Sequence, residues 1–202
     1  MNLLRRISVS TTMLLVLTVA SSFTLTNGNA STKFRSANLD LSISGTSSLH
    51  DWVMKTKQGK CEVVFDLGEN DKITGISGLN FTLDATTIKS EYTMMDNNTY
   101  KALKTKEHKN ISYVLTSGSV SQVNATTFQI KTKGKLTIAG TAKETDIVAN
   151  AVYNAADKSY SISGNKKIKM SQWGVKPPTV MMGTIKTGDD ITISFSAKVV
   201  NK

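Results

Sequence analysis

Residues 191–199 read ITISFSAKV. Ile191, Ile193, Phe195, Ala197 and Val199 are apolar or small, and the intervening Thr192, Ser194, Ser196 and Lys198 are polar. A period of two belongs to a β-strand with one dry and one wet face, because successive side chains leave the backbone on opposite sides. The rhythm returns upstream. Asn38–Ser44 alternates through Leu39, Leu41 and Ile43. With Trp52–Lys57, Lys60–Leu67, Ile73–Leu83, Ile111–Val120, Thr127–Ile138, Asp146–Tyr153, Ser159–Met170 and Ile191–Val200, the chain holds about nine strand-like runs. Gln58-Gly59 reads as a hairpin turn between the second and third. Gly75 and Gly78 inside the fourth predict a bulge or a sharp bend.

Two segments break the pattern. Tyr92–His108 offers Asp96 or Asn97 as an N-cap and Ala102, Leu103 and Lys104 as helix formers, which predicts one short helix over roughly Asn98–Lys106. Trp173–Gly188 contains Pro177-Pro178 and Gly183 yet is apolar through Val175, Val180, Met181, Met182 and Ile185, and predicts an irregular connection. Antiparallel strands with short turns must protect their edges, and closing the sheet does so most completely. The expected fold is all-β with one short helix, an antiparallel barrel of about eight strands. Such a barrel either fills with side chains or holds one small ligand. Aromatics are only 6% of the chain and the C-terminus reads Val200-Asn201-Lys202. Both argue against the aromatic girdles of a membrane barrel and for an apolar face turned inward.

The N-terminus reads as an export signal. Arg5 and Arg6 precede an apolar run through Met13, Leu14, Leu15, Val16 and Leu17 that is too short to span a bilayer. Ala20 and Ala30 both suit cleavage, with Asn27-Gly28-Asn29-Ala30 favouring the second. Residues 1–30 are thus expected as a signal peptide and 31–202 as one domain, in a periplasmic or secreted protein. Cys61 is the one cysteine, so no intramolecular disulfide forms. The formal charge is +10, and Arg5 and Arg6 account for two of it, leaving +8 for the domain. A basic domain favours anionic head groups and transient contact with a membrane surface. Nucleic acid is not expected, since the lysines are dispersed without interleaved aromatics.

Catalytic chemistry is not legible. His50-Asp51-Trp52 is the most conspicuous polar cluster, but adjacent strand residues face opposite ways, so His50 and Asp51 are poorly placed to bond each other. The two histidines, His50 and His108, have no metal-ligand spacing, and neither a nucleophile elbow nor a phosphate loop is present. No enzyme, metal or cofactor is expected.

Three separated segments carry a family resemblance. Gly45-Thr46-Ser47-Ser48-Leu49-His50-Asp51-Trp52 resembles the early "GTS-x-LHDW" segment of the YceI-like family. Lys133–Thr141 (KGKLTIAGT) resembles its "GxLTIxGxT" strand and turn, and Lys169–Pro178 with Met182–Lys186 its closing segment. Glu107–Tyr113 resembles its "YPxIxF" strand start, with Asn110 in place of the usual Pro and Tyr113 in place of Phe. The resemblance covers essentially the whole domain. It implies an extended, lipocalin-like barrel with a helix packed against it, in a family of which some members hold a polyisoprenoid chain such as a prenylated quinone or prenyl diphosphate.

The expected function is therefore an exported carrier of a polyisoprenoid or other lipid-like molecule. The alternative is an envelope stress or adaptor protein with a filled core and no ligand; a homodimer is compatible with either. Candidate ligand-binding residues are Phe65, Phe81, Leu83, Leu103, Phe128, Ile130, Trp173, Ile193 and Phe195 as walls, with Met94, Met95, Met181 and Met182 as pliable gap-fillers.

Overall fold

The structure, a computed structural model, describes residues 30–201. All but the last residue of the expected signal peptide lies outside them. Ten strands and one α-helix occur: β1 (Ala30–Ser47), β2 (Trp52–Thr56), β3 (Lys60–Leu67), β4 (Ile73–Asp84), α1 (Thr93–Ala102), β5 (Asn110–Gln122), β6 (Thr127–Ile138), β7 (Thr141–Asn154), β8 (Ser159–Lys169), β9 (Thr179–Val180) and β10 (Ile185–Asn201). Every pairing is antiparallel, and the ladder between β1 and β10, from Phe34↔Asn201 to Ser47↔Thr187, closes the sheet into an eight-stranded barrel.

The count of eight follows from one departure from expectation. β2 and β3 are not a hairpin. Both pair with the same edge of β1, Leu41 opposite Thr56 and Arg35 opposite Glu62, so together they fill one barrel position. The chain passes through Gln58-Gly59 without the positive φ that tight hairpin turns require. Gly59 serves a different purpose: a Cβ there would come within 2.9 Å of both Leu39 and Phe81. Across the interruption, the Ser36 hydroxyl accepts the Cys61 amide at 3.1 Å, and Lys57 pairs with Asp40 at 3.4 Å. The remaining strand, β9, is a two-residue addition to the start of β10.

The alternation maps onto the barrel wall. In β6, Phe128, Ile130, Thr132, Leu136 and Ile138 are buried while Lys131, Lys133 and Lys135 are exposed. The glycine-marked bend in β4 is a pair of bulges, with Ser77 and Thr74 each left without a partner opposite β3. The β6–β7 turn has Ala139 and Gly140 at φ of +47° and +79°, the backbone of a tight two-residue hairpin. Several expected boundaries shift: β1 starts at Ala30 instead of Asn38 and β7 at Thr141 instead of Asp146, and the helix and the last strand also begin earlier. The helix starts at Thr93 instead of Asn98, because Asp96 does not cap its own helix; its carboxylate bonds back to the Ser90 amide at 2.7 Å and hydroxyl at 2.8 Å. The last strand begins at Ile185, since the chain that follows the short turn at Met170–Trp173 forms the β9–β10 hairpin.

One end of the barrel is plugged. Phe34, Phe65 and Tyr160 meet with ring centroids 5.3–5.6 Å apart, and Tyr153 stacks on Tyr160 at 5.1 Å. Val63, Ile73, Ile76, Phe128, Ile130, Ala151 and Val199 complete this core. The Tyr160 hydroxyl donates to the Asp71 carbonyl and that of Tyr153 to the Asp71 carboxylate, the latter at 2.9 Å. Burial, with Tyr153 and Asp71 beside it, pushes the Tyr160 phenol well above the usual range, so it stays protonated. Truncation here has nothing to collapse onto. Phe65→Ala is expected to cost about 3–5 kcal/mol in a denaturant titration, whereas Met182→Ala, on a fully exposed side chain, stays within about 0.5 kcal/mol.

Candidate functional site

Above the plug the barrel is hollow. The cavity has a volume of about 610 Å³, within the range of small-molecule sites, and opens at the end opposite the plug. Its walls come from the inward positions of the long strands: Leu39, Leu41 and Ile43 of β1, Phe81 and Leu83 of β4, Ile111 of β5, Ile147 and Ala149 of β7, and Ile191, Ile193, Phe195 and Ala197 of β10. Ile193 and Phe195 remain half-exposed although they face inward. Both border the open space of the cavity, and Ile193 also packs against the cluster of Tyr113, Leu136, Ile168 and Trp173.

Three segments frame the mouth. The first is the turn after β1, where the Ser47 hydroxyl donates to the His50 carbonyl at 2.7 Å and Trp52 Nε1 donates to the Thr46 carbonyl at 3.0 Å. The second is α1. Thr99 donates to the Met54 sulfur at 3.2 Å, and the Tyr100 hydroxyl reaches the Thr86 and Ile88 carbonyls at 2.8 and 2.9 Å. Burial works against ionisation of Asp96, but the Ser90 hydrogen bonds and the Lys89 ammonium at 3.5 Å prevail and hold its carboxyl below the usual range. The third is the β8–β10 connection, where Trp173 is buried and donates to the Leu136 carbonyl at 3.0 Å. It is zipped to the first segment by Ser48, whose amide donates to the Lys186 carbonyl at 2.9 Å. The segments that carried the family resemblance thus build the mouth and the β6–β7 turn beside it.

Of the residues expected to contact a ligand, Phe65, Phe81, Leu83, Met94, Met95, Leu103, Ile130, Trp173, Ile193 and Phe195 line this one cavity. Phe128 does not: it is 1% exposed within the plug. Met181 and Met182 do not line it either. They project from the rim between Val180 and Ile185, which do. Both methionines have left-handed backbone, φ +51° and +54°, a conformation that costs a bulky residue about 1–3 kcal/mol. With Leu49, Tyr92 and Met94 they make five large apolar side chains, each at least 63% exposed, on the three segments around one opening. Leu49 and Tyr92 escaped sequence reasoning because they sit in turns, where no periodicity marks them.

The polar candidates are not arranged for catalysis. His50 Nδ1 lies 2.6 Å from the backbone oxygen of Asp51, not its carboxylate. No cluster of three or more His, Cys, Asp or Glu suited to a metal occurs among the described residues.

The sequence model of the YceI-like domain matches residues 7–199. The chain belongs to the YceI-like family. Solved structures share the fold at low identity. BcnA of Burkholderia cenocepacia is 18% identical with a TM-score of 0.62, over 81% of this chain and 96% of BcnA. A polyisoprenoid-binding domain from Saccharophagus degradans, implicated in plant cell wall breakdown, is 9% identical with a TM-score of 0.60, over 84% and 98%. The YceI protein of Campylobacter jejuni is 19% identical with a TM-score of 0.52, over 72% and 84%. No curated protein matches this YceI-like sequence.

Cys61 also lines the YceI-like cavity. Burial, then the Glu62 carboxylate, pushes its thiol up to about 11. At pH 8 the folded protein therefore holds on the order of a hundredfold less thiolate than an ordinary cysteine. Reaction with dithionitrobenzoate should be slower by about that factor than in the denatured chain, and climb toward about pH 11. A rate close to that of the denatured chain at pH 8 would contradict it.

Proposed function

We propose that this protein is an exported carrier that holds one polyisoprenoid or similar lipid-like molecule in its barrel and performs no reaction on it. The observation that carries this reading is the open, apolar cavity of about 610 Å³ above a solid plug. At about 24 cal/mol per Å³, an empty dry void of this size would cost on the order of 15 kcal/mol, as much as a whole domain's stability. Something must therefore occupy it, and water gains few hydrogen bonds on such walls. An apolar chain fits better, since each CH₂ removed from water contributes about 0.8 kcal/mol. The polyisoprenoid-binding domain of the same fold supports this ligand class.

Relative to a bilayer the gain on entering the barrel nearly vanishes, because lipid is equally apolar. The protein would therefore exchange its cargo with membranes. The exposed Leu49, Tyr92, Met94, Met181 and Met182 around the mouth suit transient insertion at a membrane surface. Export rests on the N-terminal Arg5, Arg6 and apolar run, and the Lys-rich domain suits anionic head groups.

The test is displacement of the neutral dye N-phenyl-1-naphthylamine by farnesol. Ala149→Trp places an indole in the cavity and should abolish dye binding and farnesol displacement. Val148→Trp, at the neighbouring outward position, should leave both unchanged and controls for folding. Equal binding by the two variants would place the dye outside the barrel and reject the proposal.

A further inference from the structure

The cavity wall is mostly apolar, broken by Ser47, His50, Asn98, Thr99, Thr132 and Thr187. Its lining contains no Asp, Glu or Arg, and its one lysine is Lys166. Lys166 stands on the inner face of β8 in step with Ile162, Gly164 and Ile168, whereas Lys167 beside it is exposed on the outer face. It sits three residues, about 10 Å along the strand, before the mouth-side end of β8. On one side it is in register with Ile193 of β10. On the other side the β7–β8 ladder ends at Ala149↔Gly164, two residues before Lys166.

Among the described residues, no carboxylate lies within 4.0 Å of the Lys166 ammonium; the lysines that do form ion pairs are others. The neighbouring hydroxyls are already engaged. Thr132, level with Ile147 on β6, donates to the Ile147 carbonyl at 3.2 Å and lies 3.0 Å from the Tyr113 hydroxyl. Lys166 thus has no ion-pair partner among the described residues on a mostly apolar wall. An ammonium among isoleucines weakens a cavity meant for neutral hydrocarbon, since filling the space with apolar cargo strips its water. It strengthens one meant for an anion, because a charge-assisted hydrogen bond gains force out of water.

Building on the carrier reading above, we propose that Lys166 is the anion anchor of the cavity, and that the cargo is an apolar chain bearing one carboxylate or phosphate. The head group then lies inside the barrel instead of at its rim.

The experiment compares farnesyl phosphate, palmitate and farnesol by displacement of N-phenyl-1-naphthylamine, in wild type, Lys166→Met and Lys167→Met. Wild type should bind at least one of the two anions about tenfold or more tighter than farnesol. Lys166→Met should erase that preference while binding farnesol at least as tightly as wild type, and Lys167→Met, the same charge change on the outer face, should preserve it. A preference for farnesyl phosphate alone identifies a prenyl phosphate source, and for palmitate alone a fatty acid; either supports the anchor. Equal binding of all three by wild type, or a preference that survives Lys166→Met, overturns it and leaves the carrier reading intact. Failure of all three to bind rejects the carrier reading and the anchor with it.

Discussion

Closure of the sheet by the β1–β10 ladder is what gives this chain an inside. The two longest strands, 18 and 17 residues, pair from Phe34↔Asn201 to Ser47↔Thr187. Without that ladder each would present an open edge with unpaired amides, and the period-two pattern would define only two faces of a sheet. With it, the apolar face of every strand turns toward one axis and the lysine-bearing face toward solvent. The broken strand β2–β3 shows how strongly closure constrains the wall. The chain tolerates an interruption at residues 57–59, bridged by Ser36 and by Lys57–Asp40, so that one edge of β1 stays covered.

Along the axis the interior divides into two jobs. The plug of Phe34, Phe65, Tyr153 and Tyr160 packs aromatic edges against faces, and its two hydroxyls find Asp71. Above it the side chains gather into two further clusters, around Tyr113, Leu136, Ile168 and Trp173 and around Met54, Leu83 and Ile88, which border the cavity without filling it. Stability and capacity thus come largely from different residues, with Phe65 and Ile130 shared where the plug meets the cavity. The mouth adds a third job, with a helix fixed by Asp96, Thr99 and Tyr100 on one side and two strained, exposed methionines on another.

Much of this was legible in the sequence, because alternation is a direct imprint of a wall with two environments. β3 and β6 have the boundaries that the pattern indicated, and ten of the thirteen candidate contact residues share one cavity. Alternation identifies the inner face but not the depth, so it could not separate Phe128, sealed inside the plug, from Ile130, which belongs to the same core but also borders the cavity. Nor could it separate a glycine that turns the chain from Gly59, which only makes room for Leu39 and Phe81. Composition says that methionines are pliable, not where they point, hence the misplaced Met181 and Met182. Lys166 was hidden for a similar reason: among 25 Lys and Arg residues one inward cation does not stand out, although its step with Ile162 and Ile168 carries the signal.

The central claim is that the hollow part of the barrel exists to be occupied by an apolar chain. Native mass spectrometry of the protein purified from its own host, with extraction of whatever it carries, tests that most directly. The account predicts a one-to-one complex with a lipid-like molecule that is lost in the Ala149→Trp variant. Recovery of the bare polypeptide mass alone, from wild type purified without detergent, would contradict it.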